Sequence, residues 1–209
     1  MKLLLTAFEA FGGQTINASQ ETARALRDWP FQEVQLELLE LPVERFRAIE
    51  MTRDAISLHR PDCIIMLGEA WGRSVITPER IAINVDDFPI PDNAGAMPQG
   101  EPIVKAGPDA HFSTLPVAAI VEALKAASIP ASVSNSAGTY LCNRLFYSVM
   151  HHLGEENSSI RAGFIHVPQF PEQLREDAEQ QARLPRETVI QSVRLAIETC
   201  VRPGSMDSL

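Results

Sequence analysis

Cys63-Ile64-Ile65-Met66-Leu67 runs apolar with no polar company, with Pro61-Asp62 before it and Gly68 behind it, which is how a buried strand between turns reads. Runs of the same kind flank it at Leu3 to Phe8, Val34 to Leu41, Ile81 to Val85, Ala131 to Ser134 and Gly163 to Val167. Helical patterns lie between them, at Ser19 to Arg27, Glu44 to Leu58, Val117 to Ala126, Asn143 to Leu153 and Glu187 to Cys200. Strand and helix therefore alternate, and each parallel crossover needs a connection long enough for a helix. The expectation is an α/β fold, a three-layer α/β/α sandwich around a largely parallel or mixed sheet. Its ligand site should gather in loops at the carboxyl ends of the strands.

Length and charge narrow the function classes. The 209 residues suit a single domain spanning 1–209. A formal charge of −9 disfavours any surface that must attract a phosphate backbone, so no nucleic-acid partner is expected. The opening Met1-Lys2-Leu3-Leu4-Leu5-Thr6 is far too short an apolar run for a signal-peptide core or a membrane span, so no membrane partner is expected. Cys63, Cys142 and Cys200 are odd in number and widely spaced, a poor disulfide framework and one compatible with a cytoplasmic protein. Pro89, Pro91, Pro98, Pro102 and Pro108, with Gly95, Gly100 and Gly107, mark one long loop. It is either functional or a packed surface excursion.

Of the three cysteines, Cys63 sits in an apolar strand and Cys200 ends an amphipathic helix, so both read as core. Cys142 differs: it stands at or just before a helix whose apolar positions Leu145, Phe146, Val149, Met150 and Leu153 repeat at helical spacing. Unpaired amides and the positive end of the helix dipole favour a thiolate there, so the expectation is a lowered thiol pKa. A thiol nucleophile also needs a base. His151 and His152 lie further along the same helix, ~14 Å or more away at ~1.5 Å rise per residue, and are excluded. His59 precedes Arg60-Pro61 at a helix end, His111 stays open, and His166 closes the run Gly163-Phe164-Ile165-His166-Val167-Pro168 at the end of a strand. His166 is the best base. A carboxylate should orient it, and Glu69, Glu79, Asp86, Asp87 and Asp92 are all candidates from the residues alone.

Metal and nucleotide chemistry find little support. There is no His-Glu-x-x-His and no Cys-x-x-Cys, so no metal or other cofactor is expected. Gly68-Glu69-Ala70-Trp71-Gly72-Arg73-Ser74 lacks the spacing and the Gly-Lys-Ser/Thr ending of a phosphate loop.

Several blocks, in order along the chain, carry a resemblance to a known family. They are Thr6-Ala7-Phe8-Glu9-Ala10-Phe11-Gly12-Gly13, Glu79-Arg80-Ile81-Ala82-Ile83-Asn84-Val85-Asp86-Asp87, Ile90-Pro91-Asp92-Asn93, Phe112-Ser113-Thr114-Leu115-Pro116, Ser136-Ala137-Gly138-Thr139-Tyr140-Leu141-Cys142-Asn143 and Gly163 to Pro168. With them the chain resembles the pyroglutamyl peptidase I, or pyrrolidone-carboxylate peptidase, family of cysteine peptidases. The resemblance implies a Cys142, His166 and Glu79 triad and an α/β/α sandwich. It implies removal of an amino-terminal pyroglutamyl residue through a thioester, no metal or cofactor, and a cytosolic homotetramer or dimer. The partners it implies are peptides with a blocked amino terminus.

The same resemblance implies that Phe8, Phe11, Asn17, Glu69, Tyr140 and Leu141 hold the lactam ring. Read without it, the two Phe residues are ordinary core and Asn17 is a helix N-cap. This chain departs from the family pattern in several places: Ala7 and Ala10 stand for Gly and Pro, Tyr140 for a frequent Phe, Arg144 for a common His, and Glu69 for the usual Gln. A carboxylate accepts hydrogen bonds but donates none, so Glu69→Gln is expected to raise activity. Two alternatives stay open: a cysteine amidase with a shifted acyl pocket, and a non-catalytic binder of capped peptides.

Overall fold

The computed structural model describes residues 1–173 and 184–201; residues 202–209 of the expected 1–209 domain lie outside them. In chain order the elements are β1 (Lys2–Phe8), α1 (Ala18–Leu26), β2 (Gln35–Leu41), α2 (Arg47–His59), β3 (Cys63–Ala70), β4 (Thr77–Pro78) and β5 (Ile81–Ile83). There follow β6 (Ala110–Phe112), α3 (Val117–Ala126), α4 (Leu141–Glu155), β7 (Arg161–Pro168), a 3-10 turn at Pro171–Gln173 and α5 (Arg186–Val201). The main sheet has the order β2-β1-β3-β7-β4; the first four strands are mutually parallel, and the short edge strand β4 runs antiparallel to β7. β5 and β6 form a separate antiparallel pair.

Successive side chains of a strand face opposite sides, and here that alternation sorts the apolar runs into two cores. Leu3, Leu5, Ala7, Cys63, Ile65, Leu67, Ile165 and Val167 pack with buried residues of α1, α3 and α5. Leu4, Ile64, Met66, Ala162 and Phe164 pack with those of α2 and α4. Both faces are covered, which makes the expected three layers. Each large side chain buried this fully contributes about 1.5–3 kcal/mol. Phe164 is one of them, and its ring lies 4.8 Å from that of His166, so the second core forms a floor beneath that histidine.

Two expectations need correction. Ala131 to Ser134 forms bridges rather than a strand, pairing parallel with Ile76 and Glu79. Its ladder is present at Ile76 N–H to Pro130 O and Arg80 N–H to Ser134 O, but Pro78 between them has no N–H to complete the middle rung. Ile81 to Val85 is a strand only over Ile81–Ile83, and it pairs with β6 outside the main sheet. Asn143 fastens this segment, accepting from Ile83 N–H and donating to Ile83 O and Val85 O.

The Pro-rich loop is tied down along its length. Asp92 accepts from the backbone of Arg45, Ala94 and Ala96, and Asn84 exchanges hydrogen bonds with Val104. The loop is a packed excursion, and its residues Pro89 and Ile90 reach a cavity at the carboxyl ends of the strands.

Candidate active site

β1 leads through α1 to β2 on one side, and α2 carries the chain back past β1 to β3 on the other, so the strand order reverses between β1 and β3. A crevice is expected at the carboxyl ends of strands at such a point. A cavity of about 390 Å³ opens there. Phe8 and Phe11 line it from the end of β1 and its loop, Glu69 and Trp71 from the end of β3, Asn17 from the start of α1, and His166 from β7. Tyr140, Leu141 and Cys142 enter at the start of α4, with Val43, Pro89, Ile90 and Ala137 completing the wall. All the site residues expected from sequence except Glu79 touch this space, and Glu79 lies buried directly behind His166.

Cys142 is the second residue of α4. No side chain caps this helix at Tyr140, and its first intrahelical bond runs from Arg144 N–H to Tyr140 O at 3.0 Å. The amides of the preceding turn therefore lack intrahelical acceptors. Sγ lies over Gly68, where a Cβ would stand 2.8 Å from the sulfur and 2.7 Å from Phe164 Cζ, so only glycine leaves room for it. Gly68 is the register partner of His166. Neighbouring strands lie about 4.8 Å apart, and Cys142 and His166 both line the cavity.

The expected lowering of the thiol pKa is overturned. Burial pushes the Cys142 thiol up to about 12, the charges of Glu79 and Glu69 push it the same way, and Arg73 and the Cys142 amide only partly oppose them. Desolvation disfavours a bare thiolate more strongly than a helix terminus favours it.

His166 Nδ1 lies 2.7 Å from Glu79 Oε1. A carboxylate only accepts, so the ring proton sits on Nδ1 and the lone pair on Nε2. Burial lowers the His166 pKa against the opposing pull of Glu79. For Glu79, burial acts upward, but His166 and Arg73 outweigh it and hold the carboxyl below its ordinary range. The resting pair beside Cys142 is thus a neutral imidazole on a carboxylate. Sequence reasoning missed Arg73, which donates to Glu79 Oε1 at 2.6 Å, to Thr77 Oγ1 at 2.5 Å and to Ser136 O at 2.9 Å.

Among the five carboxylates considered as orienting group, only Glu79 meets His166. β4 brings it there, because Thr77 pairs with His166 and Glu79 N–H donates to Phe164 O. Asp86 is buried between Arg45 and Arg144, Asp92 organises the Pro-rich loop, and Asp87 is exposed. His111 lies against His151 at 3.3 Å and away from the cavity. His59 is 3.9 Å from Glu37.

Glu69 belongs to the opposite face of β3 from Gly68, and its carboxylate is already engaged. Oε2 accepts from Ala18 N–H, in the first turn of α1, at 2.6 Å and from Gln173 Nε2 at 2.7 Å, and Oε1 accepts from Trp71 Nε1 at 2.7 Å. Asn17 caps α1 as its local sequence suggests, its Oδ1 accepting from Ser19 and its Nδ2 donating to Glu9 O. The apolar wall is a row of rings: Trp71 stacks on Phe11 at 5.6 Å, Phe11 leans on Tyr140 at 6.3 Å, and Tyr140 meets the edge of Phe88 at 4.6 Å. Among the described residues no group of three or more His, Cys, Asp or Glu side chains is placed to hold a metal ion. No helix among them is long and apolar enough to cross a membrane.

Comparison with known proteins gives one answer along the chain. A family model described as pyroglutamyl peptidase matches residues 1–203. The pyrrolidone-carboxylate peptidase of Vibrio vulnificus (strain YJ016) is 48% identical over 200 residues, covering 96% of this chain and 92% of that protein. That of Bacillus licheniformis is 45% identical over 195 residues, covering 93% and 90%. The crystal structure of pyroglutamyl peptidase I from Bacillus amyloliquefaciens superposes with a TM-score of 0.91 at 39% identity, covering 95% of this chain and 96% of that one.

Proposed function

The chain belongs to the pyroglutamyl peptidase family, and on that premise we propose that it cleaves an amino-terminal pyroglutamyl residue from peptides, with Cys142 as nucleophile, His166 as base and Glu79 as orienting carboxylate. The observation that carries this reading is the 2.7 Å bond between His166 and Glu79 beside a cysteine at the start of a helix, in one cavity. Phe8, Phe11, Tyr140 and Leu141 supply the apolar box for the flat lactam. Asn17 and Glu69 line the same cavity, their side chains fixed by hydrogen bonds to the protein.

The mechanism follows from the neutral resting state. A thiol held near 12 beside a neutral imidazole keeps its proton until an acyl carbonyl is presented. As Sγ bonds to that carbon, the proton passes to Nε2, and the imidazolium so formed is stabilised by Glu79. The carbonyl oxygen, now negative, finds the unpaired amides in the first turn of α4. His166 then gives its proton to the leaving amine, and water activated by the same nitrogen hydrolyses the thioester. Arg73 keeps Glu79 ionised and aimed.

As part of the same reading the chain acts as one catalytic unit in the cytosol and self-associates. Phe46, Leu58 and Phe112, exposed by 60%, 77% and 60%, are apolar side chains that an association of copies would cover. Release of a fluorescent amine from a pyroglutamyl conjugate tests the activity. Wild type should turn it over and Cys142→Ala should not, with both proteins folded by circular dichroism. Turnover by Cys142→Ala sinks the assignment. Hydrolysis of acetyl- or prolyl-blocked conjugates in preference to the pyroglutamyl one would favour an amidase with a different acyl pocket.

A further inference from the structure

Trp71 is half exposed, at 50%, yet both its ring and its N–H have partners. One face of the indole lies on Phe11, with the ring planes 20° apart. Its N–H is fixed on Glu69, which is itself anchored on α1 and Gln173. Its outer edge lies 3.4 Å from where a Cβ would stand on Gly12, so the loop after β1 closes against it. An aromatic surface left to water and immobilised in this way has already lost the rotamer freedom that binding would otherwise cost.

The cavity that Trp71 borders is also larger than one lactam ring requires. At about 390 Å³ it falls in the range that encloses a drug-sized ligand. Phe8, Phe11, Tyr140 and Leu141 enclose the inner end, beside Cys142. Trp71 stacks on Phe11, lines the cavity and is half exposed, so part of its ring is left to solvent beside the site. The charges nearby do not invite an acidic group. Arg73 is occupied by Glu79, Thr77 and Ser136, and the Glu69 carboxylate lies at the N–H edge of the indole.

We propose that Trp71 is a specificity-determining residue: it receives the side chain of the residue next to the pyroglutamyl group, favouring aromatic side chains and disfavouring acidic ones. This rests on the pyroglutamyl-peptidase reading of the cavity and extends it to the leaving side of the scissile bond. Aromatic stacking on a preformed ring should favour an aromatic residue by roughly three- to tenfold over alanine.

The test is kcat/KM for pyroglutamyl-Phe-amide, pyroglutamyl-Ala-amide and pyroglutamyl-Asp-amide with wild type, Trp71→Ala and Trp71→Phe. In wild type the order should be Phe, then Ala, then Asp. The Phe-to-Ala ratio should fall to about 1 in Trp71→Ala and largely return in Trp71→Phe. Each variant is its own control, since the ratio does not depend on how much enzyme is folded. Turnover with a ratio unchanged by Trp71→Ala, or no preference in wild type, overturns this inference alone. No turnover of any of the three by wild type overturns the pyroglutamyl reading and this inference with it.

Discussion

Replacing Glu69 with Gln exchanges one acceptor oxygen for an NH2 group in a place where three donors converge. Whichever way the amide turns, its nitrogen faces at least one of them. The lesser loss keeps the oxygen on Ala18 N–H and Gln173 Nε2 and sets the nitrogen against the Trp71 indole. A hydrogen bond to a charged group contributes about 1.5–3 kcal/mol. A negative charge in the first turn of a helix adds about 0.3–1 kcal/mol. Trp71 is half exposed and can turn its N–H to water, so part of the first contribution is recovered. The expected destabilisation is therefore about 2–3 kcal/mol, which for a chain of this size lowers Tm by roughly 5–10 °C. Because the indole loses its tether, kcat/KM for pyroglutamyl substrates should fall rather than rise, reversing the expectation drawn from residue type alone. Urea unfolding, thermal unfolding and steady-state kinetics on the same preparation measure all three. A Tm equal to wild type, or a higher kcat/KM, would show that the carboxylate does not serve these donors as described.

Other outcomes are set by the same geometry. Gly68→Ala should lower kcat by about 10²-fold, because a Cβ 2.8 Å from Sγ must displace the sulfur, and a 1 Å misplacement can cost that much; activity within threefold of wild type would refute the close approach. Alkylation of Cys142 by iodoacetamide in the free enzyme should rise steadily from pH 7 to 9, as expected for a thiol near 12, and a plateau below pH 8 would instead reveal a resting ion pair. Stability should decline on acidification below about pH 6.5. There an unfolded histidine takes up the proton that His166, with its lowered pKa, refuses, and Glu79, also lowered, loses its contribution only as the pH falls further through its folded value. His166→Asn should flatten the upper part of that decline in urea titrations, and an unchanged slope would count against it.

The fold was legible wherever one physical signal dominated. Continuous apolar runs marked β3 and β7 because both faces of those strands are covered, and α3 falls at Val117–Ala126 as its pattern predicts. The strands β4 and β6 are two and three residues long and too short for any periodicity to show. That gap is also why the residues alone left Glu79 among five carboxylates. Its nearness to His166 depends on an antiparallel edge strand with no pattern of its own, and only the family resemblance singled it out beforehand. The helix-terminus setting of Cys142 was readable, but the burial that reverses its effect on the thiol is a tertiary property. Arg73 and Trp71 were overlooked because their segment was weighed only as a phosphate loop. The informative sign there was a large aromatic residue beside glycine at the end of a buried strand.

The alternation of β3 separates two kinds of freedom at adjacent positions. Gly68 faces α4 and tolerates nothing larger, since any added atom meets the reacting sulfur. Glu69, one peptide unit on, turns to the other layer, where it holds the start of α1 and the indole at the rim. Natural drift or a mutagenesis library confined to position 71 can thus explore which peptides are accepted while the bond-breaking machinery is inherited intact. The division between what diverges and what is retained falls within a stretch of four residues.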